Sequence, residues 1–302
     1  MVFTSDVHYG LKRHFRGMDN VSSKEVNVAQ IAAIKSLGKI DAIIITGDIA
    51  NRQEPPVQSA TASWKEFCDT YGSLHIPLLL VPGNHDVSNA IGYYKHLEPA
   101  TDTSSLAGIY RMELHQPFTN YTSQKVNYTK DIAGIHCMFL NIWPDSANRV
   151  WMDQDLARLP ASTPVFVFVH DPPEGDPKHF TNPVGNHAMD AAGKFENLLE
   201  ENYSDHVEND WIRYLSAHPQ IKAYFHGHAN FFENYLYHGI PVFRADSPMK
   251  GRFSAKDESL LSFDLITIDP AKKSVEVKEV FWNRGRLPEM GESKTIYYGI
   301  AK

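Results

Sequence analysis

Five polar clusters in this sequence carry residues able to hold metal ions. They are Asp6-Val7-His8, Gly47-Asp48-Ile49-Ala50-Asn51, Gly83-Asn84-His85-Asp86, the isolated His170, and His226-Gly227-His228-Ala229-Asn230. Carboxylate and amide oxygens combined with imidazole nitrogens suit Mn2+, Fe2+ or Zn2+. Asp6 and His8 lie two residues apart, so an extended chain would point both side chains the same way. Asp48 could join two ions through its two carboxylate oxygens. Two ions about 3.5–4 Å apart can clamp the attacking and leaving oxygens of an in-line phosphoryl displacement. Glycines at 47, 83 and 227 permit tight turns at these points.

Each cluster begins where an apolar run stops. The runs are Val2–Ser5, Asp41–Thr46, Ile76–Val81, Val165–Val169 and Ile221–Phe225. In open α/β sheets, ligands bind outside the carboxyl ends of the strands. Five strands that each deliver Asp, Asn or His at that end would build one site. Between the early strands, the pattern Val26, Ala29, Ala33, Leu37 predicts a helix capped by Ser22 or Ser23 and closed by Gly38, and a second helix is expected over residues 59–71. The second half reads as strands near 134–142, 164–170, 221–226, 240–244, 260–268 and 274–281. A helix at 151–158, helical patterning near 190–216 and a proline-rich loop over 171–187 lie between them. With no linker-like shift in composition, residues 1–302 read as a single domain.

Composition narrows the classes. The chain has 302 residues, a net charge of −7 and fifteen histidines, an excess that directs attention to metal chemistry. Two cysteines, Cys68 and Cys137, exclude a disulfide framework. A broadly basic nucleic-acid face is not expected at this charge. No apolar run is long enough to span a membrane. The first strand begins almost at Met1, so an exported protein lacking its leader and a cytoplasmic one are both compatible with the sequence. Sequons at Asn20, Asn120, Asn127 and Asn202 do not decide between them.

The clusters, in order, resemble the motif string of the calcineurin-like metallophosphoesterase superfamily: D-x-H, G-D-x-x-[DN], G-N-H-[DE], a lone His, and G-H-x-H. The resemblance runs from Asp6 to Asn230. It implies a four-layer α/β/β/α sandwich with two mixed sheets and a dinuclear site at the strand ends, holding two divalent transition-metal ions. Asp6 and His8 would hold the first ion, Asp48 would bridge, and Asn84, His170 and His228 would hold the second. His85 would be the general acid. The implied reaction is hydrolysis of a small-molecule phosphoester, a phosphomonoester or a small phosphodiester, by a metal-bridging hydroxide. A non-catalytic scaffold of the same fold, and a nuclease or cyclic-nucleotide phosphodiesterase, are the alternatives.

The chain departs from the family pattern in places. Asn230 stands where the family has a first-metal His, and a second register would use His226 and His228 instead. No Tyr follows Asp48 as in purple acid phosphatases. Asn51 replaces the acidic partner that calcineurin-type protein phosphatases place beside the catalytic His. Arg13 and Arg16, with Tyr9, Lys12 and His14, could form a basic rim for an anionic substrate, and Arg244 could fork onto phosphate oxygens. His179 and His187 could cover the site. Cys137, Cys68 and Trp211 read as packing residues.

Overall fold

The computed structural model describes residues 1–299 apart from 54, 94, 122, 143, 145, 175–204 and 252–259. The expected 171–187 loop, His179 and His187 therefore lie largely or wholly outside the described residues.

Two six-stranded mixed sheets carry the fold. The first has the order β14-β13-β12-β1-β4-β5 and the second β10-β11-β9-β8-β7-β6. In the first, β1 (Val2–Thr4), β4 (Ile43–Thr46) and β5 (Leu78–Val81) are parallel neighbours. Antiparallel β12 (Ser262–Asp269), β13 (Ser274–Phe281) and β14 (Glu289–Tyr297) extend the sheet. In the second, β7 (Ile135–Phe139), β8 (Val165–Phe168), β9 (Ile221–His226) and β11 (Ile240–Arg244) are parallel. Antiparallel β6 (Tyr128–Ile132) and β10 (Glu233–Tyr237) form its edges.

Alternation along β8 shows how the layers arise. Phe166 and Phe168 join the core between the sheets, whereas Val165 and Val167 join a second core. There they pack with Met152 and Leu156 of α5 (Ser146–Leu156) and Trp211, Ile212 and Leu215 of α6 (Asp205–Ala217). A strand covered on both faces reads as one continuous apolar run, which is why β8 was legible. On the other side, α1 (Ser23–Ser36), α2 (Ala60–Tyr71) and α4 (Ser104–Leu114) cover the first sheet. The result is the four-layer α/β/β/α sandwich expected. Helix α1 begins at the capping box of Ser22 and Glu25.

An aromatic row lies under the ends of the second sheet's strands. Tyr128, Phe139, Phe168, Phe225 and Phe243 are register partners on five adjacent strands, with successive ring centroids 4.7, 4.8, 4.6 and 5.0 Å apart. Phe3 of β1 meets Phe168 and Phe225 edge-on at 6.2 and 5.4 Å, locking one sheet onto the other. Cross-strand aromatic contacts add to simple area burial.

The basic segment after the first motif is ordered into two strands. It is a hairpin of β2 (Lys12–Phe15) and β3 (Met18–Ser22), turned by Arg16 and Gly17, both at positive φ. The edge strands β6, β10 and β14, and helices α3 (Asn84–Ile91) and α4, are further elements beyond the sequence reading.

Phe225→Ala should lower unfolding stability by about 3–5 kcal/mol in denaturant titrations, with Phe225→Leu costing clearly less. Equal, small losses would show that the stacked row does not join the sheets. A second expectation concerns Glu113 of α4, which accepts the N–H of Leu80 on edge strand β5. Burial pushes its carboxyl from 4.5 up to about 7. The folded state therefore holds this proton more tightly, and stability falls as pH rises from about 4.5 to about 7. Glu113→Gln keeps an acceptor that does not titrate. Its stability relative to the parent should grow across that window; a pH-independent difference would contradict the assignment.

Candidate metal centre

The motif residues converge from both sheets. Asp6 and His8 follow β1, Asp48 follows β4, and Asn84 and His85 open α3 just after β5. His170 follows β8, and His228 and Asn230 follow β9. Asp6 and His8 do not sit on extended chain: their φ angles are +53° and +39°. The strand has ended at Thr4, and the backbone curls so that both side chains face the centre.

Asp48 Oδ2 is the hub. It lies 3.7 Å from His8 Nε2, 3.8 Å from His85 Nε2 and 3.6 Å from His170 Nε2. Its other oxygen, Oδ1, accepts the backbone N–H of His85 at 2.9 Å. One oxygen of Asp48 is thus held by backbone, and the other is the one turned toward the three imidazoles. Asp6 repeats the arrangement. Its Oδ2 accepts the N–H of His228 at 2.9 Å, while Oδ1 is buried without a hydrogen-bond partner, 3.7 Å from His8 Nε2.

Two glycines make these backbone bonds possible. A Cβ at Gly83 would lie 2.2 Å from Asp48 Oδ1, and one at Gly227 would lie 2.4 Å from Asp6 Oδ2. Either side chain would occupy the space of the carboxylate oxygen that the next N–H groups hold.

The second half of the site is equally ordered. His170 Nδ1 donates to the carbonyl of Thr46 at 2.6 Å, so its Nε2 carries the lone pair toward the centre. That Nε2 lies 3.0 Å from Asn84 Oδ1, and His228 Nδ1 lies 3.2 Å from both atoms. Asp171, which the sequence reading passed over, joins His170 and His228 with donor atoms all within 4.8 Å. Its signal was adjacency to His170 at a strand end.

The two histidines of the last motif have different partners. His226 places Nδ1 on its neighbour's carbonyl at Gly227 and Nε2 on the Tyr235 hydroxyl, at 2.9 and 3.1 Å. Both ring nitrogens of His226 thus have other partners, whereas His228 Nδ1 lies beside Asn84 and His170. Asn230 donates from Nδ2 to His228 O at 2.8 Å and leaves Oδ1 buried without a partner.

The electrostatics match a cation site. Burial pushes the Asp48 carboxyl up, although His170 opposes it. Burial pushes the His170 ring down, but the Asp48 and Asp6 carboxylates outweigh it, and the net direction is up. His8 is driven well below its ordinary value, first by burial and then by the charge of Lys250. Asp6 Oδ1, Asn230 Oδ1 and both ring nitrogens of His8 are buried donors of metal-ligand type with no hydrogen-bond partner. Groups of this kind are costly unless a cation meets them, so the residues present fit two divalent ions.

Supporting residues fix the loops. Asp86 does not face the centre. It accepts N–H groups of Gly83, Ile49 and Ala50, each at 3.1 Å, and so ties two motif loops together. Asn27 of α1 donates to Val7 O at 3.0 Å. Asn51 is buried, and its Oδ1 accepts the Gln53 N–H.

The candidate substrate contacts, Arg13 and Arg16 of the expected rim and Arg244, have protein partners. Arg13 is 2% exposed and donates to Pro248 O and His14 O, so it braces a loop from inside. Arg244 is paired with Glu233 and lies over the Phe231 ring, with Nε donating to Phe231 O. Arg16, at the hairpin turn, donates to Asn283 Oδ1 at 3.3 Å. Cys137 is buried, its thiol pushed up to about 12, consistent with inert packing.

This chain belongs to the calcineurin-like phosphoesterase family, whose model matches residues 1–230. It is 24% identical over 196 residues to glycerophosphodiester phosphodiesterase GpdQ of Enterobacter lignolyticus, covering 62% of this chain and 58% of that one. It is 26% identical over 173 residues to a probable cyclic nucleotide phosphodiesterase of Rhodopseudomonas palustris, covering 57% of each. The matches thus span less than three-fifths of either relative. Among solved structures, a dimetal phosphatase from Danio rerio superposes with a TM-score of 0.61 at 12% identity, over 98% of both chains. GAP50, the anchor in the inner membrane complex of Plasmodium, gives 0.53 at 13% identity, over 98% of this chain and 87% of that one. Among the described residues, no helix is long and apolar enough to cross a membrane.

Asp48→Asn keeps the shape but removes the charge at the hub. If Asp48 serves two ions, elemental analysis after dialysis should show both depleted. Full retention of both would contradict a bridging role.

Proposed function

We propose that this protein is a dinuclear-metal phosphoesterase acting on a small phosphodiester, with His85 as general acid. The observation that carries the proposal is the hub: one carboxylate oxygen, Asp48 Oδ2, within 3.8 Å of three imidazole nitrogens delivered by different strands. Asp6, His8, Asp48 and Asn230 would hold one ion. Asp48, Asn84, His170 and His228 would hold the other. The ions, when bound, supply Lewis acidity for in-line displacement at phosphorus. Mn2+, Fe2+ and Zn2+ all suit this mixed oxygen and nitrogen set.

The side chains then divide the work. The two aspartates keep one oxygen each on backbone N–H groups, so their inward oxygens cannot rotate away. The carbonyl of Thr46 fixes the tautomer of His170. His85 is 5% exposed and stands edge-on to His8, their ring centroids 5.1 Å apart. Its backbone is tied to Asp48, which holds the ring beside the hub. From there a protonated ring delivers its proton to the departing oxygen, the usual task of a general acid.

The names of the two curated relatives support a diester over the monoester that the sequence also allowed. The scaffold alternative calls for damaged ligands or a missing catalytic His, whereas His85 and nearly all the donors are present, Asn230 being the exception. His85→Ala should lower kcat on bis(p-nitrophenyl) phosphate by roughly a hundredfold or more, with metal content unchanged by elemental analysis. Parent-like turnover would remove the acid role. An inactive parent across a panel of Mn2+, Fe2+ and Zn2+ would remove the enzyme reading, and faster turnover of p-nitrophenyl phosphate would return it to monoesters.

A further inference from the structure

The turn after β9 holds His228 and Asn230 at φ angles of +68° and +61°, a conformation that side-chain-bearing residues disfavour. Such a turn keeps its shape only if other groups hold it. The peptide that joins Gly227 to His228 is held on both sides. Its N–H, that of His228, donates to Asp6 Oδ2 at 2.9 Å. Its carbonyl, that of Gly227, lies 2.9 Å from His226 Nδ1. A carbonyl only accepts, so this nitrogen carries the ring proton. Ala229 N–H reaches the same carbonyl at 2.8 Å, but from within the turn. The Asp6 backbone is anchored separately, its carbonyl accepting the Oγ of buried Ser247 at 2.7 Å. What the His228 N–H sets is therefore the orientation of the Asp6 carboxylate.

His226 is itself held from behind. It ends β9 and is fully buried. Along that strand Phe225 joins the core between the sheets and Tyr224 joins the second core, so alternation puts His226 on the Tyr224 side. There its Nε2 lies 3.1 Å from the Tyr235 hydroxyl, and the two rings stand edge-on with centroids 6.1 Å apart. The hydroxyl lies 2.9 Å from each carboxylate oxygen of Glu174. A chain from Glu174 through Tyr235 and His226 thus ends on the peptide whose other side orients Asp6.

We propose that His226 is a positioning residue of the metal centre and not a ligand: it clamps the Gly227–His228 peptide, which sets both the Asp6 carboxylate and the His228 ring. The inference rests on the ligand set proposed above, in which Asp6 serves one ion and His228 the other. A change at His226, which touches neither ion, therefore weakens both. Partners that orient metal ligands from behind carry roughly ten- to a hundredfold in affinity.

The test titrates the full chain with Mn2+ and reads both dissociation constants and the histidine nitrogens coupled to the bound ions. His226→Leu should weaken each ion by about tenfold or more, and a change under about twofold would overturn the proposal. His226→Asn, whose amide N–H can take the place of Nδ1 on the Gly227 carbonyl, should stay within about threefold of the parent. An Asn variant as weak as the Leu variant would overturn the proposal. The number of coupled histidine nitrogens should be the same in parent and variants; loss of one would make His226 a ligand and overturn it as well. If His226→Leu does not fold, His226→Gln, whose amide falls at the Nε2 position, takes its place: it should bind both ions more weakly than His226→Asn, and equal affinities would overturn the proposal. A parent that binds neither ion would overturn the ligand set and this inference together. A parent that binds two ions but cleaves no ester would fail the phosphoesterase reading alone. An active parent whose Leu variant keeps both affinities would fail this inference alone.

Discussion

Two carboxylates, Asp6 and Asp48, are buried side by side where the ends of both sheets meet. Removing such groups from water costs several kcal/mol each unless opposite charge and hydrogen bonds meet them. The surrounding structure is organised around that requirement. Each carboxylate places one oxygen on the backbone N–H of a site histidine and turns the other inward. The bond from His228 to Asp6 joins the two sheets, as does the bond from His170 to Thr46 O. Satisfying the carboxylates and assembling the centre are therefore one event, and the cations that complete the balance bind what folding has arranged.

The aromatic row gives this arrangement its stiffness. Phe168 ends β8 two residues before His170, and Phe225 lies three before His228. Phe3 crosses from the first sheet onto both rings. A shift of one strand would disturb the rings below and the ligands above. Ligand sets need placement within a fraction of an ångström, and a packed floor beneath the strand ends provides it. The same logic explains Asp86, Asn27, Ser247 and Arg13, which touch loops rather than the hub.

Much of this was legible because central strands leave a plain record. β4 is apolar up to its final Thr46 and β8 throughout, and two residues beyond each stands a donor, Asp48 or His170, so order and chemistry could be read together. The edge strands hid: β10 reads Glu-Asn-Tyr-Leu-Tyr and β14 alternates charges with small residues, since one side of each meets solvent. Backbone conformation hid as well. Nothing in Asp6-Val7-His8 shows two positive φ angles, which arise because loops from both sheets must close on one point. Arg13 sits in a basic run that reads as a rim, yet its burial depends on the loop after β11, far away in sequence. The partner of His226, Tyr235 on the next hairpin, was hidden in the same way.

The central claim is that these donors form one centre with a single carboxylate oxygen between two ions. Electron paramagnetic resonance of the Mn2+-loaded protein tests it directly. The account predicts that the second equivalent of Mn2+ converts the spectrum of an isolated ion into that of an exchange-coupled pair. Two equivalents that bind tightly yet retain only the signal of isolated, uncoupled ions would contradict it.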